Sequence, residues 1–184
     1  MDVPMLHAVA EDLAEYLSEV TPSDFTQPTP VPGRDVGALY VHLIDQNLAL
    51  AAALVRAPSP LRLQADPSFR ANLPAAANLY GGGFETRYRQ TAHHLEDAFA
   101  GIPVADELYR VDGVDLRASA IYDKQVSDTV IHTYDLARAM GIDYRPPADI
   151  AYRVLESLQQ SPLADPEAAW DCALRLSQRI PSFA

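Results

Sequence analysis

Two short stretches of the chain set a histidine three residues ahead of an aspartate, His42-Leu43-Ile44-Asp45 and His132-Thr133-Tyr134-Asp135. The second carries another carboxylate, Asp128, four residues before its histidine. At about 100° per residue, positions four and three apart share one helix face, so Asp128, His132 and Asp135 fall on a single stripe. Neutral imidazoles with a carboxylate suit borderline divalent ions such as zinc or nickel. Asp128 and His132 would aim at one point and His42, from a facing helix, would supply a third ligand. Three protein ligands leave a coordination position for water or substrate, the arrangement of a catalytic rather than a closed structural site. Asp45 and Asp135 would stand behind the ligands, provided that their side chains fold back toward the rings.

Spacing alone leaves other readings open. His132 oriented by Asp128 would also serve as a metal-free acid–base pair, and both histidines would equally fit satisfied positions in a packed interior or on a solvated face. Val126, Val130, Thr133, Ala137 and Met140 occupy the opposite face, and Ile131 and Leu136 border the polar stripe closely, which favours a strip sunk in a cleft. Tyr134 and Arg138 lie beside the stripe and would suit an anionic substrate. His93 and His94 are adjacent and point about 100° apart, so they cannot both serve one site, and His7 reads as a solvated position among acidic residues. The chain has no GxGxxG, GxxxxGK[ST], GxSxG or HExxH pattern.

The elements that would position these residues are helical. Apolar spacing predicts helices over 4–20, 35–57 with Asp35 as N-cap, 84–100, and 118–140 stopped by Gly141. Two shorter helices follow over 147–160 and 166–179. Four prolines in Thr21–Gly33 predict an extended surface connection. Residues 58–83 read as a long irregular crossover with a short helix near 68–80 and a flexible "GGG" at its close. Alternation around Asp112-Gly113 predicts a hairpin. The expected architecture is all-α: a four-helix bundle with long crossover connections and two short C-terminal helices, residues 1–184 forming one domain and 147–184 an appendage that would act as a lid or a homodimer contact.

Composition narrows the partners. A formal net charge of -11 and a pI near 4.7, with no basic stripe, argue against nucleic acid. An acidic first segment and no apolar run near membrane-spanning length predict a cytoplasmic protein without membrane contact. The single cysteine, Cys172, excludes an intrachain disulfide and a cysteine-built zinc cluster, and reads as a small buried hydrophobe.

The Pro-rich "TPVPGRDVGALYVHLID" together with "DTVIHTYDLARAMG" and the closing "ALRLSQRIP" resembles the DinB/YfiT-like superfamily, in particular its mycothiol-dependent maleylpyruvate isomerase-like branch. The resemblance implies a bundle holding one divalent metal, zinc or nickel, through His42, Asp128 and His132. It also implies a thiol cofactor such as mycothiol and an isomerase or S-transferase acting on a small metabolite; the alternative is a binding or accessory protein without a metal. The chain departs from the family in three places: Asp128 stands where the isomerase has Glu, Arg34 where an aromatic is frequent, and Gln178 in place of the closing glycine.

Overall fold

The computed structural model describes residues 3–63, 68–69, 72–73, 83–158 and 166–180. Four long helices form the bundle: α1 (Pro4–Ser18), α2 (Val36–Leu54), α3 (Phe84–Ala100) and α4 (Ala118–Ala139). A hairpin of β1 (Leu108–Val111) and β2 (Val114–Arg117) precedes α4, and the shorter α5 (Ala148–Ser157) and α6 (Pro166–Leu176) follow it. The expected all-α DinB-like bundle with two short C-terminal helices is what the chain adopts.

Local chemistry explains most boundaries. The Asp35 carboxylate accepts the Ala38 amide at 2.9 Å and starts α2. In the hairpin turn, Asp112 and Gly113 both take left-handed backbone, φ 48 and 85, as a two-residue turn of this twist requires. At the end of α4, Gly141 has φ 73 while Ile142 N–H donates to Ala137 C=O at 2.8 Å, closing a Schellman stop.

The connection before α2 is not wholly extended: Pro22–Thr26 forms a 3-10 turn. Asp24 accepts the Thr21 amide at 2.8 Å there, and Phe25 is buried 4.5 Å from the Phe84 ring. One apolar residue therefore folds a stretch that its prolines would leave open. The expected helix near 68–80 falls mostly outside the described residues, as do Gly81 and Gly82. Ser68, Phe69, Asn72 and Leu73 are helical.

Burial organises the bundle as a ring. Leu6, Val9, Leu13 and Leu17 of α1 pack against α3 and α4, and α2 packs along α3. Each such side chain stabilises the fold by about 1.5–3 kcal/mol. By length and composition alone α2 would pass for a membrane span, contrary to the sequence expectation; 56% of that stretch lies inside the bundle, where its leucines and alanines form core. The remaining seam, between α2 and α4, is short and polar.

Candidate functional site

Polar side chains fill the α2/α4 seam in a ladder. Asn47 Nδ2 donates to Thr91 Oγ1 of α3 at 3.2 Å, and Gln125 Nε2 donates to Asn47 Oδ1 at 3.3 Å. Gln46 Nε2 reaches both Gln125 Oε1 at 3.0 Å and Asp128 Oδ2 at 3.1 Å. Buried amides in apolar surroundings are costly unless paired, so the ladder fixes the register of α2 against α4.

One turn back from Gln46 on α2, and one turn beyond Asp128 on α4, the two histidines meet. The His42 and His132 ring centroids lie 5.1 Å apart and nearly perpendicular. Both line a cavity of about 520 Å³ whose walls come from α2, α4, the hairpin and residues 59–62. Leu50, Val111, Leu116 and Ile121 supply its apolar wall, while Arg62, Arg110, Lys124, Asp112 and Asp128 supply charge. Arg62 Nη2 donates to Asp112 Oδ1 at 3.2 Å and ties the segment after α2 to the hairpin tip.

The two imidazoles differ in surroundings. Burial holds His42 well below the ordinary histidine value, at about 4; His132 and Arg34 push the same way and Asp128 and Asp45 oppose them. His42 is therefore neutral at pH 7, its lone pair available to a cation. His132 is only 7% exposed. Its Nδ1 stands 3.5 Å from Asp135 Oδ2, an electrostatic contact too long to count as a made hydrogen bond, and has no other partner among the described residues.

Asp135 is completely buried and carries the closing segment: Arg179 Nε donates to Oδ1 and Nη2 to Oδ2, each at 2.8 Å. Burial alone would raise the Asp135 carboxyl, but the nearby His132 ring and the hydrogen bonds and charge of Arg179 hold it below the usual aspartate value. Arg179 reaches back because α6 ends in a second Schellman stop, with Arg179 N–H on Leu174 C=O at 2.8 Å and Gln178 at φ 61. Glycine is the residue favoured in such a left-handed turn, and Gln178 occupies it here.

The residues expected from sequence are distributed unequally. His42, Asp128 and His132 line one cavity, with Asp135 behind His132. The Asp128 carboxylate is drawn to Lys124 and Gln46. Its atoms and those of the two imidazoles consequently do not close to within 4.8 Å of one another; among the described residues the triad that does is His7, His93 and Glu96. Asp45 accepts the Leu63 amide at 2.7 Å, with its carboxylate turned to the crossover. Tyr134 and Arg138 line a separate cavity with Tyr144, Arg145 and Trp170, because Tyr134 stands two positions from His132, about 200° around the helix. Sequence reasoning missed Gln46, Lys124, Gln125 and Arg179. The closing "QRIP" was the only signal for the last.

The chemistry of the donor set fits a divalent ion: two imidazoles whose rings meet 5.1 Å apart, one held neutral, with a carboxylate at the same cavity wall.

The model of the mycothiol maleylpyruvate isomerase N-terminal domain family matches residues 6–137. Among solved structures, the crystal structure of the mycothiol-dependent maleylpyruvate isomerase is similar with a TM-score of 0.63 and 16% identity, covering 85% of this chain. A histidine-to-alanine variant of that enzyme is similar with the same TM-score and 15% identity. The chain spans 65% of the length of each of these structures. No curated protein matches. With the family model covering the bundle from α1 to the end of α4, the chain belongs to the mycothiol maleylpyruvate isomerase N-terminal domain family, the DinB-like branch of mycothiol-dependent isomerase-like proteins.

Proposed function

We propose that the chain is a divalent-metal-dependent, thiol-cofactor enzyme, an isomerase or S-transferase for a small anionic or electrophilic metabolite. His42 and His132 would hold the ion, with Asp128 as third ligand and mycothiol as thiol. The observation that carries this reading is the meeting of the two rings, 5.1 Å apart, at the wall of a cavity large enough for small molecules. When bound, zinc or nickel would supply a Lewis acid that lowers the pKa of a coordinated thiol, so that it loses its proton to solvent at neutral pH.

The chain's own residues do the rest. Desolvation keeps His42 neutral, and Asp135, clamped by Arg179, restrains the His132 ring from behind. Arg62, Arg110 and Lys124 offer positive charge to a carboxylate on the metabolite, and Leu50, Val111, Leu116 and Ile121 keep water from the reacting end. Recognition of an anion is therefore assigned to these cations instead of Tyr134 and Arg138. The family match ending at residue 137 supports 147–184 as an appendage to a single domain, one that supplies Arg179 to the site.

The engagement of Asp128 by Gln46 and Lys124 favours one other reading, a metal-free binding or accessory protein in which the ladder simply continues through the histidines. A thiol-consumption assay separates the two. Protein reconstituted with zinc or nickel should couple mycothiol to a general electrophile, and His42→Ala should lower the rate at least 100-fold, as losing a metal ligand does. Equal thiol consumption with and without metal and protein would refute the enzymatic reading.

A further inference from the structure

On the opposite side of the bundle, α1 and α3 bring together His7, His93 and Glu96, whose ligating atoms all lie within 4.8 Å of one another. His7 Nδ1 is 3.1 Å from Glu96 Oε2, and the His7 and His93 ring centroids are 5.9 Å apart. His93 and Glu96 sit three residues apart on α3 and so share a face, and His7 faces them from α1. Behind them, Glu11 Oε1 stands 3.8 Å from His93 Nε2 while its other oxygen accepts from Arg89 Nε at 3.0 Å.

A second observation points to a ligand. The imidazoles are about half exposed, but the Glu96 side chain is only 13% exposed, and its Oε1 is buried with no hydrogen-bond partner among the described residues. A buried carboxylate oxygen without a donor costs about 1–3 kcal/mol or more, and a cation on the neighbouring Oε2 would offset part of that cost by drawing off the carboxylate's charge. Ligating atoms in a tetrahedral zinc site stand about 3.4 Å apart. The His7–Glu96 pair is already at 3.1 Å, and side-chain rotations about the exposed His93 complete the set.

We propose that His7, His93 and Glu96 form a second cation site, separate from the cavity, that takes Zn²⁺ or another borderline divalent transition ion and clips α1 to α3. Two imidazoles and one carboxylate leave a water-filled position facing solvent. Glu11 Oε1, 3.8 Å from His93 Nε2, places negative charge behind that ring, on the side where metal-bound histidines are supported. Both exposed rings can lose water and accept an ion without repacking the core, so the site gates nothing in the cavity and acts on stability. The reading is independent of whether His42 and His132 bind metal.

The test uses the full, untagged chain stripped with a chelator, in a His42→Ala/His132→Ala background that silences the cavity. Calorimetric titration with Zn²⁺ should give about one equivalent bound and a rise in Tm. Adding His7→Ala or His93→Ala should weaken uptake at least tenfold and remove the Tm rise, and Glu96→Gln should weaken it in the same direction. If the background variant does not fold, wild type and His7→Ala/His93→Ala are compared, and the latter should bind one equivalent fewer. Absence of uptake in the folded background, or uptake unchanged by His7→Ala/His93→Ala, would overturn the proposal.

Discussion

Arg179 grips Asp135 with two parallel hydrogen bonds of 2.8 Å across 44 residues of sequence, and Asp135 in turn faces His132 Nδ1 at 3.5 Å. The last described turn of the chain is thereby joined to a ring at the cavity. A two-pronged guanidinium–carboxylate contact at a fully buried acid fixes both partners more tightly than a point charge would.

Removing the guanidinium leaves Asp135 buried and uncompensated. Arg179→Met should destabilise the protein by about 3–5 kcal/mol, measured by urea unfolding. Arg179→Lys should recover only part of that, because an ammonium cannot bridge both oxygens. Asp135→Asn combined with Arg179→Met should cost less than the sum of the single changes; strict additivity would show that the pair is not coupled.

Gln178 holds φ 61 at the stop of α6. Gln178→Gly should stabilise the fold by about 0.5–1 kcal/mol, the left-handed penalty less the added freedom of the unfolded chain. Equal or lower stability in thermal unfolding would show that the turn costs glutamine nothing.

The pH dependence follows from His42. Its value falls from 6.5 unfolded to about 4 folded, so the folded state binds fewer protons between those limits. The stabilisation is fully present above pH 6.5 and is lost as pH falls toward 4, amounting to on the order of 3 kcal/mol at most. Chelator-treated protein should show this loss in denaturant midpoints between those pH values, and His42→Gln should flatten it.

Lys124 competes with any cation for Asp128. Lys124 is largely exposed, so the pair is worth about 0.2–1 kcal/mol. Lys124→Met should therefore tighten metal binding in the cavity by up to about fivefold in a competition titration against a chromogenic chelator. Weaker binding would mean that Lys124 helps to place the carboxylate.

Much of the frame is legible in local sequence because each signal acts within a few residues. Asp35 caps α2, Asp112-Gly113 turns the hairpin, and Gly101 and Gly141 follow the last turns of α3 and α4. The meeting of His42 with His132 is one of the arrangements that their equal spacing on two long helices allows. What stayed hidden depends on contacts distant in sequence. Arg179 is 44 residues from Asp135, and Gln46 is 82 from Asp128. Asp45 occupies the expected helix face, yet the Leu63 amide claims its carboxylate. His7 is exposed, as its place among acidic residues predicts, but its contact with Glu96, 89 residues on, has no local signal. Periodicity assigns a face to a side chain; it does not say which neighbour arrives there.

The central claim is that His42 and His132 share one cation. It is tested most directly by metal analysis of untagged protein carrying His7→Ala and His93→Ala, so that only the cavity is counted. About one equivalent of zinc or nickel per chain is expected, falling to near zero when His42→Ala or His132→Ala is added. A metal content unchanged by those two substitutions would contradict the account.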